Sequence, residues 1–384
     1  MCLEVCWVTP VYLDNSATTC VCREAADKAY EMMTLCYGNP SSLHTMGFQA
    51  EQEMTAARRA IGSLLGCPEE CLFFTSGGTE ANNLAVFGSA AAHARAGRHV
   101  VTTAVEHSSV TAACDALEKQ GYTITRLRPD ADGTLSAQAI VDACREDTVL
   151  VAVMAVNNET GARFPLEQAA EEIRRRSPHA HIHCDAVQAA GKIPIHVGRW
   201  GIDSLSASAH KLHGPKGCGV LYLRKGARVL PRQMGGKQER GLRGGTEAVP
   251  LIAAFGAAVQ MLPSIPQQLA LYDGLRQRLL DHFSADPRVV WHLPTGGVPY
   301  IIHLSVPGYR SETMLHFLAE KGIYVSSGSA CAKGAKSPVL EAMGLPKEEI
   351  DSALRVSLCR DTKPADIDAF AEALQEGLEN LVRR

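Results

Sequence analysis

The sequence predicts an α/β protein: a large domain built on a mostly parallel, doubly wound sheet, followed by a smaller α+β domain. Three observations carry this reading. Short β-rich apolar runs alternate with helical patterns between about residues 71 and 223, the order of repeated strand–helix–strand units. Thr148 to Val156 is almost continuously apolar, as a strand covered on both faces must be. After residue 262 the pattern changes, where Leu262-Pro263-Ser264-Ile265-Pro266 breaks an alanine-rich helix.

The elements follow in order. Cys71–Thr75 predicts a strand and Thr79–Ala96 the helix after it. His99–Thr103 predicts a second strand, Ser109–Gln120 a helix and Gly121–Leu127 a third strand. Leu166–Arg176 reads as a helix whose last turn, Arg174-Arg175-Arg176, meets the negative end of the helix dipole. His181–Asp185 and Gly219–Leu223 read as further strands. A long helix from about Gln267 to Phe283 crosses to the second domain. That domain takes the strand Ile301–Val306, the helix Ser311–Lys321 and the strand Arg355–Leu358. The expected boundaries are 15–262 for the large domain and 263–384 for the small one, joined by an N-terminal segment 1–14. A ligand is expected beyond the carboxyl ends of the parallel strands.

Composition narrows the function classes. The 384 residues carry 38 basic and 41 acidic side chains, net −3, so no basic surface for nucleic acid is expected. No apolar run reaches the roughly 18 residues of a membrane span, and the first residues lack the basic region of a secretion signal. The 13 cysteines are scattered and odd in number, which reads as reduced thiols in a cytoplasmic protein. The spacings of Cys2, Cys6, Cys20 and Cys22 match no zinc pattern, and no intrinsic metal is expected.

Several segments carry chemistry. Lys211 lies in Ser206-Ala207-Ser208-Ala209-His210-Lys211-Leu212-His213-Gly214-Pro215. It reads either as a surface lysine beside a turn or as a lysine held in a dry pocket. Burial disfavours the ammonium form, and a neutral amine can form a Schiff base with an aldehyde such as pyridoxal phosphate. Thr75-Ser76-Gly77-Gly78-Thr79-Glu80 sits between a strand and a helix, where free amides and the dipole favour a phosphate. Asp185 ends a strand, so its carboxylate can pair with a pyridine nitrogen, and Gln188 can donate to a ring oxygen. His107, in Glu106-His107-Ser108-Ser109, is placed to stack on a flat ring or simply to cap a helix. Cys331 lies in a run of small residues with Lys333 and Lys336 nearby, a setting for a mobile loop and a thiolate of lowered pKa. Arg355 enters an apolar strand and needs a carboxylate partner, structural or substrate.

Taken together and in order, these segments resemble the cysteine desulfurases, fold-type I pyridoxal-phosphate enzymes related to the class V aminotransferases. The resemblance runs from Val11 to about Thr362. It includes Tyr12-Leu13-Asp14-Asn15-Ser16-Ala17-Thr18-Thr19, Gly38-Asn39-Pro40-Ser41-Ser42, Val156-Asn157-Asn158-Glu159-Thr160-Gly161 and Arg240-Gly241-Leu242-Arg243-Gly244-Gly245-Thr246. It implies conversion of L-cysteine to L-alanine, with the sulfur left on Cys331 as a persulfide. Lys211 would bond the cofactor aldehyde and move the α-proton. His107 would stack on the ring and share in proton transfer. Asp185 would pair with the ring nitrogen and Gln188 with the phenolic oxygen. Gly78, Thr79, Ser208 and His210 would hold the phosphate, and Thr246 would reach the phosphate of the neighbouring subunit in a homodimer. Asn158, at the edge of the cofactor, and Arg355 would hold the substrate carboxylate, with Asn39. A protein sulfur acceptor is implied, for iron–sulfur cluster assembly or thiolation, and Cys331 can share a transient iron–sulfur ligand role with a scaffold. Selenocysteine lyase chemistry and a feeble sulfur-relay subunit are the alternatives. The segment after Cys331 is shorter than in the best-known members, and Cys359 stands where glycine is common.

Overall fold

The computed structural model describes residues 10–328 and 337–383. Strand β1 (Val11–Tyr12) leads into helices α1 (Arg23–Thr34) and α2 (Thr45–Leu65). The alternation follows as β2 (Leu72–Thr75), α3 (Gly78–His93), β3 (His99–Thr103), α4 (Ser108–Lys119), β4 (Thr123–Leu127), α5 (Ala137–Ala143), β5 (Thr148–Met154), α6 (Leu166–Arg176) and β6 (His181–Asp185). After α7 (Val197–Trp200) come β7 (Ser204–Ser208) and β8 (Gly219–Leu223). Helices α8 (Val249–Gln260) and α9 (Ile265–His282) lead to β9 (Val290–Trp291), β10 (Ile301–Ser305), α10 (Ser311–Glu320), β11 (Ile323–Tyr324), α11 (Pro338–Ala342), α12 (Lys347–Asp351), β12 (Ala353–Ser357) and α13 (Pro364–Asn380).

The large sheet has seven strands in the order β2-β8-β7-β6-β5-β3-β4. From β4 through β7 neighbours run parallel, while β8 is antiparallel to both β7 and β2. Every residue of β5 is buried, as its unbroken apolar run requires of a strand with helices on both faces. The sequence reading names no element over Ser204–Ser208. The structure places β7 there, fully buried. Its serines are tolerated because two of them bond to buried partners: Ser204 to His181 and His183, and Ser206 to Asn82.

Glycine decides two close approaches. A β-carbon on Gly219 would lie 2.6 Å from the Gly77 backbone, so the start of β8 can touch the turn before α3 only as glycine. Gly256 on α8 meets the Ala57 α-carbon of α2 at 2.7 Å from the same ideal position.

The second region is a three-stranded antiparallel sheet, β12-β10-β9, with α9 and α13 packed beside one another. Helix α9 starts at a capping box between Ser264 and Gln267, with Gln267 Oε1 accepting from Ser264 N at 3.2 Å. The N-terminal segment ties in here: β1 pairs in parallel with β11, and Asn15 Nδ2 donates to the Ser357 carbonyl at 2.8 Å. Among the described residues no single helix is long and apolar enough to cross a membrane.

Candidate active site

The carboxyl ends of β6 and β7 face the start of α3, and the candidate residues collect there. Lys211 closes the short 3-10 turn Ala209–Lys211 that follows β7. The next residues hold it in place: Gly214 N donates to the Ala209 carbonyl at 2.9 Å, and His213 sits at φ +59°. The Lys211 amine is buried and donates to the Ser16 carbonyl and, at 2.8 Å, to the Ala17 carbonyl. Burial, with the charges of Lys192 and Arg355 adding to it, pushes its pKa down to about 7. The lysine is therefore not a surface residue, and burial favours its neutral form.

Lys192 was not legible as a site residue. It is buried, lies 5.1 Å over the Tyr300 ring, and has its own pKa lowered by burial to about 8. No sequence signal marks it, since it follows a glycine in an otherwise ordinary Gly-Lys-Ile-Pro run.

Asp185 ends β6 and is held in a fixed pose. Asn82 Nδ2 donates to its Oδ2 at 2.7 Å, and Val187 N donates to its Oδ1 at 2.9 Å. Asn82 is the hub of a buried network. Its amide also donates to Ser109 Oγ at 2.8 Å, while its Oδ1 meets Ser206 Oγ at 2.5 Å and His183 Nε2 at 3.0 Å. All four hydrogen-bonding positions of the amide are thus used. Burial keeps His183 neutral, its pKa pushed down to about 3, so it is a hydrogen-bonding strut and not a charge.

His107 caps the N-terminus of α4. Its Nδ1 accepts from Ser109 N at 3.2 Å and lies 2.8 Å from Ser109 Oγ. An amide can only donate, so in the neutral ring the proton sits on Nε2. Capping and ring contact are compatible roles, because the cap uses one nitrogen and leaves the other.

Helix α3 begins at Gly78 with no side chain capping it, which leaves first-turn amides for an anion. Ser208 lies beside this end, with its β-carbon 3.7 Å from where a Gly78 β-carbon would stand. His210 is neutral, its pKa lowered by burial and by Lys211 to about 4, with Nδ1 3.2 Å from Thr18 Oγ1. Gln188 shares an acceptor with Lys211. Its Nε2 donates to the Ser16 carbonyl at 2.9 Å, and its Oε1 is buried without a partner. This donor set fits pyridoxal phosphate: amides, a hydroxyl and a neutral imidazole for phosphate, a fixed carboxylate for a protonated ring nitrogen, and a depressed lysine for an aldehyde.

Arg355, on β12, is 2% exposed. Its Nη2 pairs with Asp14 at 2.6 Å, and its Nη1 donates to the carbonyls of Asn158 at 2.9 Å and Gly328 at 3.2 Å. Its Nε is buried with no partner. Asn158 is half-buried beside it. Two expected residues are not gathered in. Asn39 is exposed and accepts from Ser41 N in a local turn, and Thr246 is exposed on the connection before α8. Cys331, with Lys333 and Lys336, lies outside the described residues, as do Cys2 and Cys6. The unusual Cys359 stands with His213 and Asp361. These groups already have partners, since His213 Nδ1 meets the Cys20 carbonyl and Thr362 Oγ1 donates to the thiol.

Comparison with known proteins agrees with this geometry. Residues 11–370 match the aminotransferase class-V family model. The chain is 42% identical to cysteine desulfurase 2 of Trichormus variabilis over 97% of this chain and 94% of that one. It is 38% identical to the cysteine desulfurase IscS of Methanosarcina thermophila, over 97% and 92%. Among solved structures, a NifS-like protein superposes with TM-score 0.91 at 33% identity, covering 97% of this chain and all of that one. SspA in complex with cysteine does so with TM-score 0.79 at 32% identity, covering 90% and 98%. The chain belongs to the class-V aminotransferases, and within them to the cysteine desulfurase group.

Proposed function

We propose that this protein is a pyridoxal-phosphate-dependent cysteine desulfurase, taking sulfur from L-cysteine onto Cys331 and releasing L-alanine. The observation that carries the reading is the buried Lys211 amine, with its pKa near 7, set between the fixed Asp185 carboxylate and the uncapped start of α3. Gly78, Thr79, Ser208 and His210 hold the phosphate, with His107 and Asn158 against the ring and Asp185 and Gln188 at its polar atoms. When bound, the cofactor supplies an electron sink for the pair left on the substrate α-carbon.

The chain's own residues do the rest. Lys211 takes the α-proton as a neutral amine and can return it as an ammonium. Arg355 offers its fork to the substrate carboxylate, together with Asn158 and with Asn39 from its turn. Cys331 as thiolate attacks the substrate sulfur. The new S–S bond forms as the carbon–sulfur bond breaks, and the electron pair goes to the carbon that becomes the methyl group of alanine. A protein acceptor, for cluster assembly or thiolation, then takes the outer sulfur.

The protein is further read as a cytoplasmic homodimer, with residues 15–262 as the cofactor-binding domain and 263–384 as the small one. Exposed Tyr30, Met33, Leu35, Tyr37 and Phe48 on and around α1 and α2 offer an apolar face for a second copy. Thr246, exposed in one protomer, would complete the partner's phosphate site.

The test mixes purified protein with L-cysteine and follows alanine and sulfide with a reductant present, beside Cys331→Ala and Lys211→Ala. Both variants should lose sulfide release, and Lys211→Ala should also lose the visible absorbance of lysine-bound cofactor. Unchanged sulfide release from Cys331→Ala overturns the persulfide route. Alanine release from selenocysteine but not from cysteine would turn the reading to a selenocysteine lyase.

A further inference from the structure

Strands β10 and β12 pair antiparallel, with His303 directly opposite Arg355. Residues directly opposite share one face of the sheet and stand close enough to touch. The same face carries Ser305 on β10 and Ser357 on β12, and both are bonded. Ser305 Oγ donates to the Glu349 carbonyl at 2.8 Å, and Ser357 Oγ accepts from Ser16 N at 2.8 Å. The pair between them differs. His303 is fully buried, and neither ring nitrogen has a partner among the described residues. Arg355 Nε is buried and equally without one. Three of the seven unpartnered buried side-chain atoms among the described residues thus fall on one cross-strand pair.

The two groups are chemically complementary. Arg355 Nε–H can only donate, and a neutral imidazole offers one accepting nitrogen. Burial, with His292 and Arg355 adding to it, holds the His303 pKa well below its ordinary value, so the ring is neutral. Other groups nearby are engaged elsewhere. Asp14 takes Nη2, and the Asn158 and Gly328 carbonyls take Nη1. Glu159 Oε2 accepts from Ser337 Oγ at 2.5 Å. His292, whose ring centre lies 5.3 Å from that of His303, has Nε2 2.9 Å from Ser305 Oγ. Because Arg355 Nε is buried, it is not the nitrogen offered to a ligand.

We propose that His303 is a positioning residue for Arg355: its ring accepts the Nε proton, directly or across one bridging water, and so fixes the plane in which the guanidinium meets the substrate carboxylate. The inference rests on the function proposed above, which makes Arg355 a carboxylate ligand. A guanidinium is rigid and planar, so an anchor on Nε–H sets the direction of both terminal nitrogens.

Two substitutions and one second background test this. His303→Leu fills a similar volume but accepts nothing. His303→Asn keeps a short neutral acceptor. Arg355→Lys puts a methylene where Nε stands, so that background lacks the donor. Urea midpoints of the holoenzyme are measured for all of these and for the His303→Leu/Arg355→Lys pair, with kcat and KM for cysteine on the His303 variants.

His303→Leu should raise KM about tenfold, the loss of one hydrogen bond to a charged group, with kcat within about twofold of wild type. It should lower the urea midpoint, and the same change should leave the midpoint of Arg355→Lys where it was. His303→Asn should bring KM back to within about threefold of wild type. A ring that is only buried gives the opposite sign: removing an unpartnered polar group leaves the midpoint unchanged or raises it, and that result overturns the proposal. So does an equal fall in both backgrounds, an unchanged KM in His303→Leu, or a KM as high in His303→Asn as in His303→Leu. If the wild-type protein does not turn over cysteine, the functional reading fails first, and the midpoints still decide whether His303 serves Arg355.

Discussion

Arg355 Nη2 lies 2.6 Å from Asp14 Oδ1, joining two residues 341 positions apart in sequence. This pair locks β12 of the small sheet to the N-terminal segment just after β1. It also explains how a fully buried guanidinium is tolerated, since three of its contacts accept its protons.

Arg355→Ala should therefore destabilise the protein by about 3 kcal/mol, because it strands the Asp14 carboxylate. Arg355→Lys should recover part of the stability but not cysteine affinity, as an ammonium lacks the planar fork. Urea unfolding midpoints and the KM for cysteine check the two claims separately.

Cofactor capture should titrate with Lys211. Its pKa falls from the ordinary 10.5 to about 7, so the reactive neutral amine is lost below pH 7. In protein stripped of cofactor, the rate of pyridoxal phosphate capture should rise about tenfold per pH unit below 7 and level off above about 8. Stopped-flow absorbance measures this. A rate still climbing steeply at pH 9 would return Lys211 to an ordinary surface value.

Glu106 gives a pH dependence of opposite sign. It is buried, its Oε2 has no partner, and burial raises its pKa to about 8. Between the unfolded value of 4.5 and 8 the folded state binds more protons than the unfolded state. Its contribution is therefore full at low pH and is lost as pH rises through 8. Glu106→Gln should flatten the fall in melting temperature between about pH 5 and 8. An unchanged slope would assign that fall to other groups.

Asn82→Ala should cost about 2–4 kcal/mol, because it leaves the Asp185 carboxylate and the His183 N–H without their partner in a dry interior. Cofactor affinity should fall with it, since Asp185 would no longer be held in one pose. Equilibrium unfolding and equilibrium titration with pyridoxal phosphate read the two effects.

Parts of this architecture were open to reading and parts were not. The strands His99–Thr103 and His181–Asp185 stand in the structure with the expected bounds, because apolar or β-rich runs flanked by turn residues leave few alternatives. Lys211, Asp185 and Gly78 follow from local chemistry: a lysine before a glycine–proline break, a carboxylate ending a strand and a glycine pair before a helix. β7 was hidden because its serines are satisfied by residues distant in sequence, Ser204 by His181 and His183 on the neighbouring strand and Ser206 by Asn82 on α3. Asn82, Lys192 and Glu159 look like ordinary helix, turn and loop residues in sequence. Their surroundings come from partners 103, 108 and 178 positions distant, Asp185, Tyr300 and Ser337 in turn, and no local pattern encodes that. Lys192 belongs with these through its place beside Tyr300.

The 3-10 turn that presents Lys211 follows directly from a strand of the large sheet, whereas Gly328 and Ser337 are held by side chains: Arg355 and Ser326 on the first, Glu159 on the second. The two halves of the chemistry are thus free to evolve at different speeds. A lineage can exchange the courier without rebuilding the workshop.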